Sequence, residues 1–176
     1  MTTLTRTFYR RPTAQVARDL LGKVLVHGET SGRIIEVEAY LGVDDLAAHS
    51  SRGITYRTRV IFGPPGHAYV YLIYGRYECL NVVAEPDGTP GCVLIRALEP
   101  LTGLDLMRER RAGRDPAGGP GKLTRALAIT RAHNGLDLTR GPLRIVDAPA
   151  PEGQVLVTPR IVITQCVDCP LRFVLG

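Results

Sequence analysis

Tryptophan is absent from this chain of 176 residues and phenylalanine occurs only three times, so aromatic surface is left to seven tyrosines. No apolar run approaches the roughly 18 residues that a membrane span requires. Residues 1–6 lack the apolar centre of a signal peptide, and a cytosolic protein with no membrane attachment is expected. Cysteine is scarce at four positions, and only Cys166 and Cys169 have metal-ligand spacing. Without a second such pair, two readings stand: a zinc site completed by Cys79 and Cys92, or reduced thiols with an incidental redox pair, which suits a cytosolic protein better. No metal and no cofactor are expected. Acids are outnumbered by bases, 17 to 22, giving +5, a weak pointer to a polyanionic partner. No internal repeat or linker interrupts the chain, so one domain over 1–176 is expected, long enough to bury a core.

Strand and turn signals dominate what is present. A helix is expected over 13–21, stopped by Gly22, followed by strands at 23–27 and around Glu38. A short helix is expected at 44–49 and a basic, irregular stretch at 50–59 with Arg52, Arg57 and Arg59. Strands at 68–74 and 77–85 surround Gly75 and form a hairpin tipped by Tyr74, Arg76 and Tyr77. A strand at 92–97, an amphipathic helix at 101–111 ending in a basic run, a mobile Gly/Pro loop at 112–121 and a helix at 122–130 follow. Short strands close the chain at 143–147, 155–157, 160–164 and 171–174. With no βαβ spacing, the fold class is α+β: a mixed, largely antiparallel curved sheet with flanking helices and a protruding hairpin.

The run Arg33-Ile34-Ile35-Glu36-Val37-Glu38-Ala39-Tyr40 carries the first chemical signal. On a strand, Glu36, Glu38 and Tyr40 share one face, while Ile35, Val37 and Ala39 turn toward a core. Acids at a wet sheet edge would show the same pattern. Tyr69, Tyr71, Tyr74 and Tyr77 crowd one hairpin, where cross-strand packing is the ordinary explanation. A core would favour Phe and Leu, however, because a buried phenol needs a hydrogen-bond partner. Tyrosine at the tip beside Arg76 suits a wedge entering a nucleic-acid groove, with the cation on phosphate. Arg96, within an apolar strand, demands a counter-charge or a water. It either pairs with Glu36 or Glu38 for structure alone, or shares a water with one of them. Gly119-Pro120-Gly121-Lys122 opens a helix whose amides, with Lys122, could hold phosphate. With His49, these residues outline a pocket for a flat aromatic ligand beside a carboxylate.

Several runs stand in the order found in one family. They include Val16-Ala17-Arg18-Asp19-Leu20-Leu21-Gly22-Lys23, Glu36-Val37-Glu38-Ala39-Tyr40, Ala48-His49-Ser50 and Phe62-Gly63-Pro64-Pro65-Gly66-His67. Asn81-Val82-Val83, Val93-Leu94-Ile95-Arg96-Ala97-Leu98-Glu99-Pro100 and Gly119-Pro120-Gly121-Lys122-Leu123 continue the series. Over nearly its whole length the chain resembles the alkyladenine (3-methyladenine) DNA glycosylases. The resemblance implies a monomer that flips damaged purines (3-methyladenine, 7-methylguanine, hypoxanthine, ethenoadenine) out of double-stranded DNA. It would hydrolyse the N-glycosidic bond without lyase activity. Glu38 matches the general base, Arg96 the arginine that helps hold the attacking water, and the Ile161 carbonyl that water's backbone partner. Tyr40 matches one wall for the flipped base, His49 and Tyr71 the other. Asn81 matches the residue that crowds the guanine 2-amino group, and Tyr74 the side chain that fills the gap in the duplex. Arg57, Arg76 and Lys122 are expected on the DNA backbone. Arg76 replaces a usually apolar residue, and Val162 stands where glycine is common. The rival readings are a non-catalytic nucleic-acid-binding domain and a hydrolase of free nucleosides.

Overall fold

The computed structural model describes residues 2–113, 115–149 and 153–176. The described residues form eight strands, β1 (Val24–His27), β2 (Thr30–Tyr40), β3 (Ala68–Ile73), β4 (Tyr77–Val83), β5 (Cys92–Thr102), β6 (Leu143–Val146), β7 (Val155–Thr158) and β8 (Arg172–Leu175). They form one curled, wholly antiparallel sheet in the order β3-β4-β5-β2-β1-β6, with β8 between β2 and β7. β2 is its hub. One edge of β2 pairs with β5, and the other is shared by β1 along its first half and β8 at Glu36–Glu38. Helices α1 (Arg6–Tyr9), α2 (Thr13–Leu20), α3 (Leu104–Arg110) and α4 (Pro120–Ala126) flank the sheet. The fold class is α+β, and no helix is long and apolar enough to cross a membrane among the described residues.

Alternation along the strands separates two faces. Val37 and Ala39 of β2, Val93 and Ile95 of β5, and Leu80 and Val82 of β4 pack with Val16, Ala17 and Leu20 of α2 and Leu123 of α4. The other face carries Glu36, Glu38, Tyr40, Asn81, Tyr69 and Tyr71, and residues 41–62 fold across part of it, where Ile61 packs with Tyr69, Val83 and Cys92. A bulge in the β2–β5 ladder changes the expected pattern. Ile34 lies opposite Leu98, Glu36 opposite Ala97 and Val37 opposite Ile95, leaving Ile35 and Arg96 with no partner across the ladder. The alternation slips by one, so Ile34 rather than Ile35 enters the core, while Ile35 is only half-buried.

Other expectations are corrected. Residues 44–48 form turns, and the helical turn comes later, as a 3-10 turn at His49–Arg52. Asp45 explains this, because its carboxylate accepts from the Leu41 and Ala47 N–H groups and offers the backbone an alternative to a helix. β5 runs on to Thr102, and Gly103 at φ 71 turns the chain into α3. α4 is shorter than expected, with Ala128 at φ 54 just beyond it. Residues 160–164 form no strand, since Val162 at φ 59 is left-handed. Part of the expected 112–121 loop, Arg114, lies outside the described residues.

Candidate active site

Glu38 is fully buried. Its Oε2 accepts from Tyr40 Oη at 3.0 Å and Arg96 Nη1 at 3.2 Å, and its Oε1 accepts from the Ile161 N–H at 2.9 Å. A buried carboxylate needs such partners, because an unpaired one would lose its hydration without compensation. The Arg96 guanidinium bridges both acids, its Nε donating to Glu36 Oε1 at 2.8 Å. The same Glu36 oxygen accepts from Arg172 Nε at 2.7 Å, and Arg172 Nη1 donates to Thr158 Oγ1, which ties β8 to β7 and β2. Burial would raise the Glu36 pKa, but hydrogen bonds from Arg172 and Arg96 outweigh it and hold the carboxyl below its usual range. Burial likewise opposes the charge of Arg96, and Glu38 and Glu36 more than offset it, so the guanidinium keeps its proton more firmly than usual.

An open cleft of about 1520 Å³ lies over this face. Its walls include Tyr40, Arg96 and Ile161, with Glu38 set behind them. Also along the cleft, His49 meets Tyr71 edge-on, centroids 4.6 Å apart, and its Nδ1 lies 3.0 Å from Tyr69 Oη. Burial first, then the charges of Arg57 and Arg52, push the His49 pKa down to about 4, so the ring is neutral at pH 7. Burial, with Glu38 alongside, raises the Tyr40 phenol, which therefore remains a donor to the carboxylate. Asn81 lines the floor, buried, with Nδ2 donating to the Tyr69 carbonyl at 3.3 Å.

The hairpin stands at the rim. Tyr74 and Gly75 have φ 52 and 68, and the Arg76 N–H donates to the Ile73 carbonyl, as a type I′ turn requires. Tyr74 is 71% exposed at this tip. α4 packs closely against the start of β4, just below the hairpin turn, because Gly121 has no side chain; a Cβ there would sit 3.0 Å from Tyr77 Cβ. Arg52, Arg76, Arg110, Arg111, Lys122 and Arg125 all line the cleft, and all but Lys122 lack a carboxylate partner among the described residues. Lys122 Nζ is 3.4 Å from Asp115.

The structure thus brings Glu38, Tyr40, His49, Tyr71, Asn81, Arg96 and Ile161 around one space, with Tyr74, Arg76 and Lys122 at its rim. Two of the expected basic residues lie against aromatic rings. The Arg57 guanidinium lies 5.0 Å over the Tyr71 ring and that of Arg59 4.5 Å over Tyr56. Ile161 also reaches Glu38 directly through its N–H, a bond the sequence did not announce. Sequence reasoning missed Arg160, Asp45 and Arg172. Arg160 and Arg172 carried the same signal that exposed Arg96, a cation flanked by apolar residues. All four cysteines are free, and no group of three or more His, Cys, Asp or Glu is arranged to hold a metal among the described residues, so the four-cysteine zinc site is not assembled.

Comparison with known proteins finds a match to the methylpurine-DNA glycosylase family over residues 7–176. A relative from Methanoculleus marisnigri is 56% identical, covering 98% of this chain and 95% of the relative. Relatives from Methanocella arvoryzae and Koribacter versatilis are 50% and 49% identical, each covering 98% of this chain and 90% and 89% of the relative. Each of the three is named "Putative 3-methyladenine DNA glycosylase".

Proposed function

The chain belongs to the methylpurine-DNA glycosylase family, and on that premise we propose that it is a monofunctional DNA glycosylase acting as a monomer on duplex DNA. It flips alkylated or deaminated purines (3-methyladenine, 7-methylguanine, hypoxanthine, ethenoadenine) into the cleft and hydrolyses the N-glycosidic bond with a water activated by Glu38. The observation that carries this reading is the state of Glu38. Three donors occupy three of its roughly four acceptor positions, which leaves one on Oε1 for a water proton. On this reading the water approaches from the cleft side, where Tyr40, Arg96 and Ile161 form the wall in front of the buried Glu38.

Each remaining part has a place in the reaction. Extruding a base costs a few kcal/mol, and stacking between Tyr40 on one side and His49 and Tyr71 on the other returns ~1–3 kcal/mol. Tyr74 fills the vacated step. Asn81, its amide pinned to the Tyr69 carbonyl, crowds the position of a guanine 2-amino group. As the glycosidic bond breaks, positive charge develops on the sugar, and the Glu38 carboxylate stabilises it. Of the two lysines in the chain, Lys23, just before β1, is paired with Asp147, just after β6, and Lys122 with Asp115 at the rim. Neither is placed to form a Schiff base beside Glu38, which supports hydrolysis without strand cleavage.

The test is incubation with a duplex carrying a single hypoxanthine or ethenoadenine, followed by alkali. Strand breaks that appear only after alkali are expected. Binding without release would instead identify a non-catalytic binder, activity on free nucleosides alone a nucleoside hydrolase, and breaks before alkali a lyase.

A further inference from the structure

We infer that Arg160, gripped by Asp45, is the positioning residue that sets both the catalytic carboxylate and the wall on which the base stacks, an assignment that rests on the glycosylase reading above. The Arg160 side chain is fully buried. Its Nη1 and Nη2 donate to the two Asp45 oxygens at 2.6 and 2.9 Å, a bidentate fork. Nη1 also donates to the Ala39 carbonyl at 3.0 Å, between Glu38 and Tyr40. The guanidinium lies 4.7 Å over the Tyr40 ring, within reach of a cation–π attraction.

The next residue makes this arrangement consequential. Ile161 donates its N–H to Glu38, yet among the described residues no backbone–backbone hydrogen bond anchors residues 159–165. The β7–β8 ladder ends at Thr158. The segment is therefore attached through the Arg160 side chain and the Ile161 amide themselves. At the other end of the pair, Asp45 accepts from Leu41 and Ala47 and so shapes the loop that leads into His49. One ion pair thus joins the chain segments that present Tyr40, Ile161 and His49.

Removing one partner alone leaves a buried charge and destabilises the fold, so a single variant would not separate positioning from stability. Removing both charges is far less costly. The test is the full-length double variant Arg160→Met/Asp45→Asn, in which the amide that replaces the Asp45 carboxylate keeps an acceptor oxygen for the loop. It is compared with the parent by thermal melting, by single-turnover release of hypoxanthine from duplex across enzyme concentrations, and by hydrogen exchange of the Ile161 amide. We expect melting within about 4 °C of the parent and a plateau rate lower by about 10- to 100-fold, since a misplacement near 1 Å costs up to ~10²-fold. The half-saturating concentration should change less than about threefold, and the Ile161 amide should exchange faster. Arg160→Lys, which keeps charge but loses the fork, should also be slow. A folded double variant with a plateau rate within threefold of the parent, or an Ile161 amide as protected as before, overturns the inference. A parent that releases no lesion base while its Ile161 amide still responds would overturn the glycosylase reading instead.

Discussion

At the scale of single residues, Glu38 and Glu36 share a strand face and the Arg96 guanidinium, and differ in burial and in their other partners. Glu36 receives two arginines on one oxygen, so its charge is offset by two cations, whereas Glu38 shares only Arg96 and takes its other bonds from neutral donors. Glu38→Gln should slow base release by ~10²–10⁴-fold, the worth of a general base, while lesion binding persists because Arg96 keeps Glu36 as partner. Single-turnover release within threefold of the parent would remove Glu38 from the reaction. His49 makes a separate prediction. In the unfolded chain it titrates near 6.5 and in the fold near 4, so between those values the unfolded state binds the extra proton. Its contribution to stability is therefore complete above pH 6.5 and is lost as pH falls toward 4. Melting curves at pH 7.5 and 5.0 should show a smaller acid loss in His49→Gln; an identical loss in both proteins would mean that the ring is not held neutral.

At the scale of elements, Tyr74 and Val162 are two of five described non-glycine residues in left-handed backbone, and both border the site. Tyr74 at the hairpin tip has φ 52 and Val162 beside the Glu38 partner has φ 59, where an L side chain costs about 1–2 kcal/mol. Glycine relieves that strain at the expense of unfolded-state entropy of about 0.5–1 kcal/mol. Val162→Gly should therefore raise stability by about 0.5–1 kcal/mol, read from the urea midpoint, and an unchanged or lower midpoint would refute the strain. Tyr74→Gly should show a similar gain in stability together with a loss of lesion recognition in duplex of roughly 1–3 kcal/mol, and a smaller loss on single strands. Equal losses on both substrates would make Tyr74 a packing residue of the hairpin. A bulky side chain retained at a strained, exposed tip is the pattern expected where function opposes stability.

At the scale of the whole molecule, the net charge of +5 understates the cleft. Arg52, Arg76, Arg110, Arg111 and Arg125 border it without acidic partners among the described residues. Each phosphate they neutralise adds about 0.9 to the slope of log affinity against log salt. Arg76→Ala should lower the measured slope by about one unit, equally on damaged and undamaged duplex, because phosphates carry no lesion information. Lys122→Ala should lower it by less, since Asp115 already neutralises part of that charge. A selective loss on lesion duplex with Arg76→Ala would place Arg76 in the wedge beside Tyr74.

What is local was legible in the amino-acid order alone. The period of two along β2 put Glu36, Glu38 and Tyr40 on one face, the same period put Tyr69 and Tyr71 on the facing hairpin, and Gly75 marked its turn. These follow because side-chain direction in a strand depends on the strand alone. Arg96 was legible as a charge needing a partner, but not that it would take both acids. Tertiary structure decided the rest. The bulge that replaces Ile35 by Ile34 in the core, the Glu36–Arg172 bond across β2 and β8, the amide of Ile161 on Glu38 and the grip of Asp45 on Arg160 all join residues distant in the chain. A buried charge requires an opposite charge, and composition announces that need. Which residue meets it depends on strand order and register, and those are settled only when the whole sheet has closed around its core.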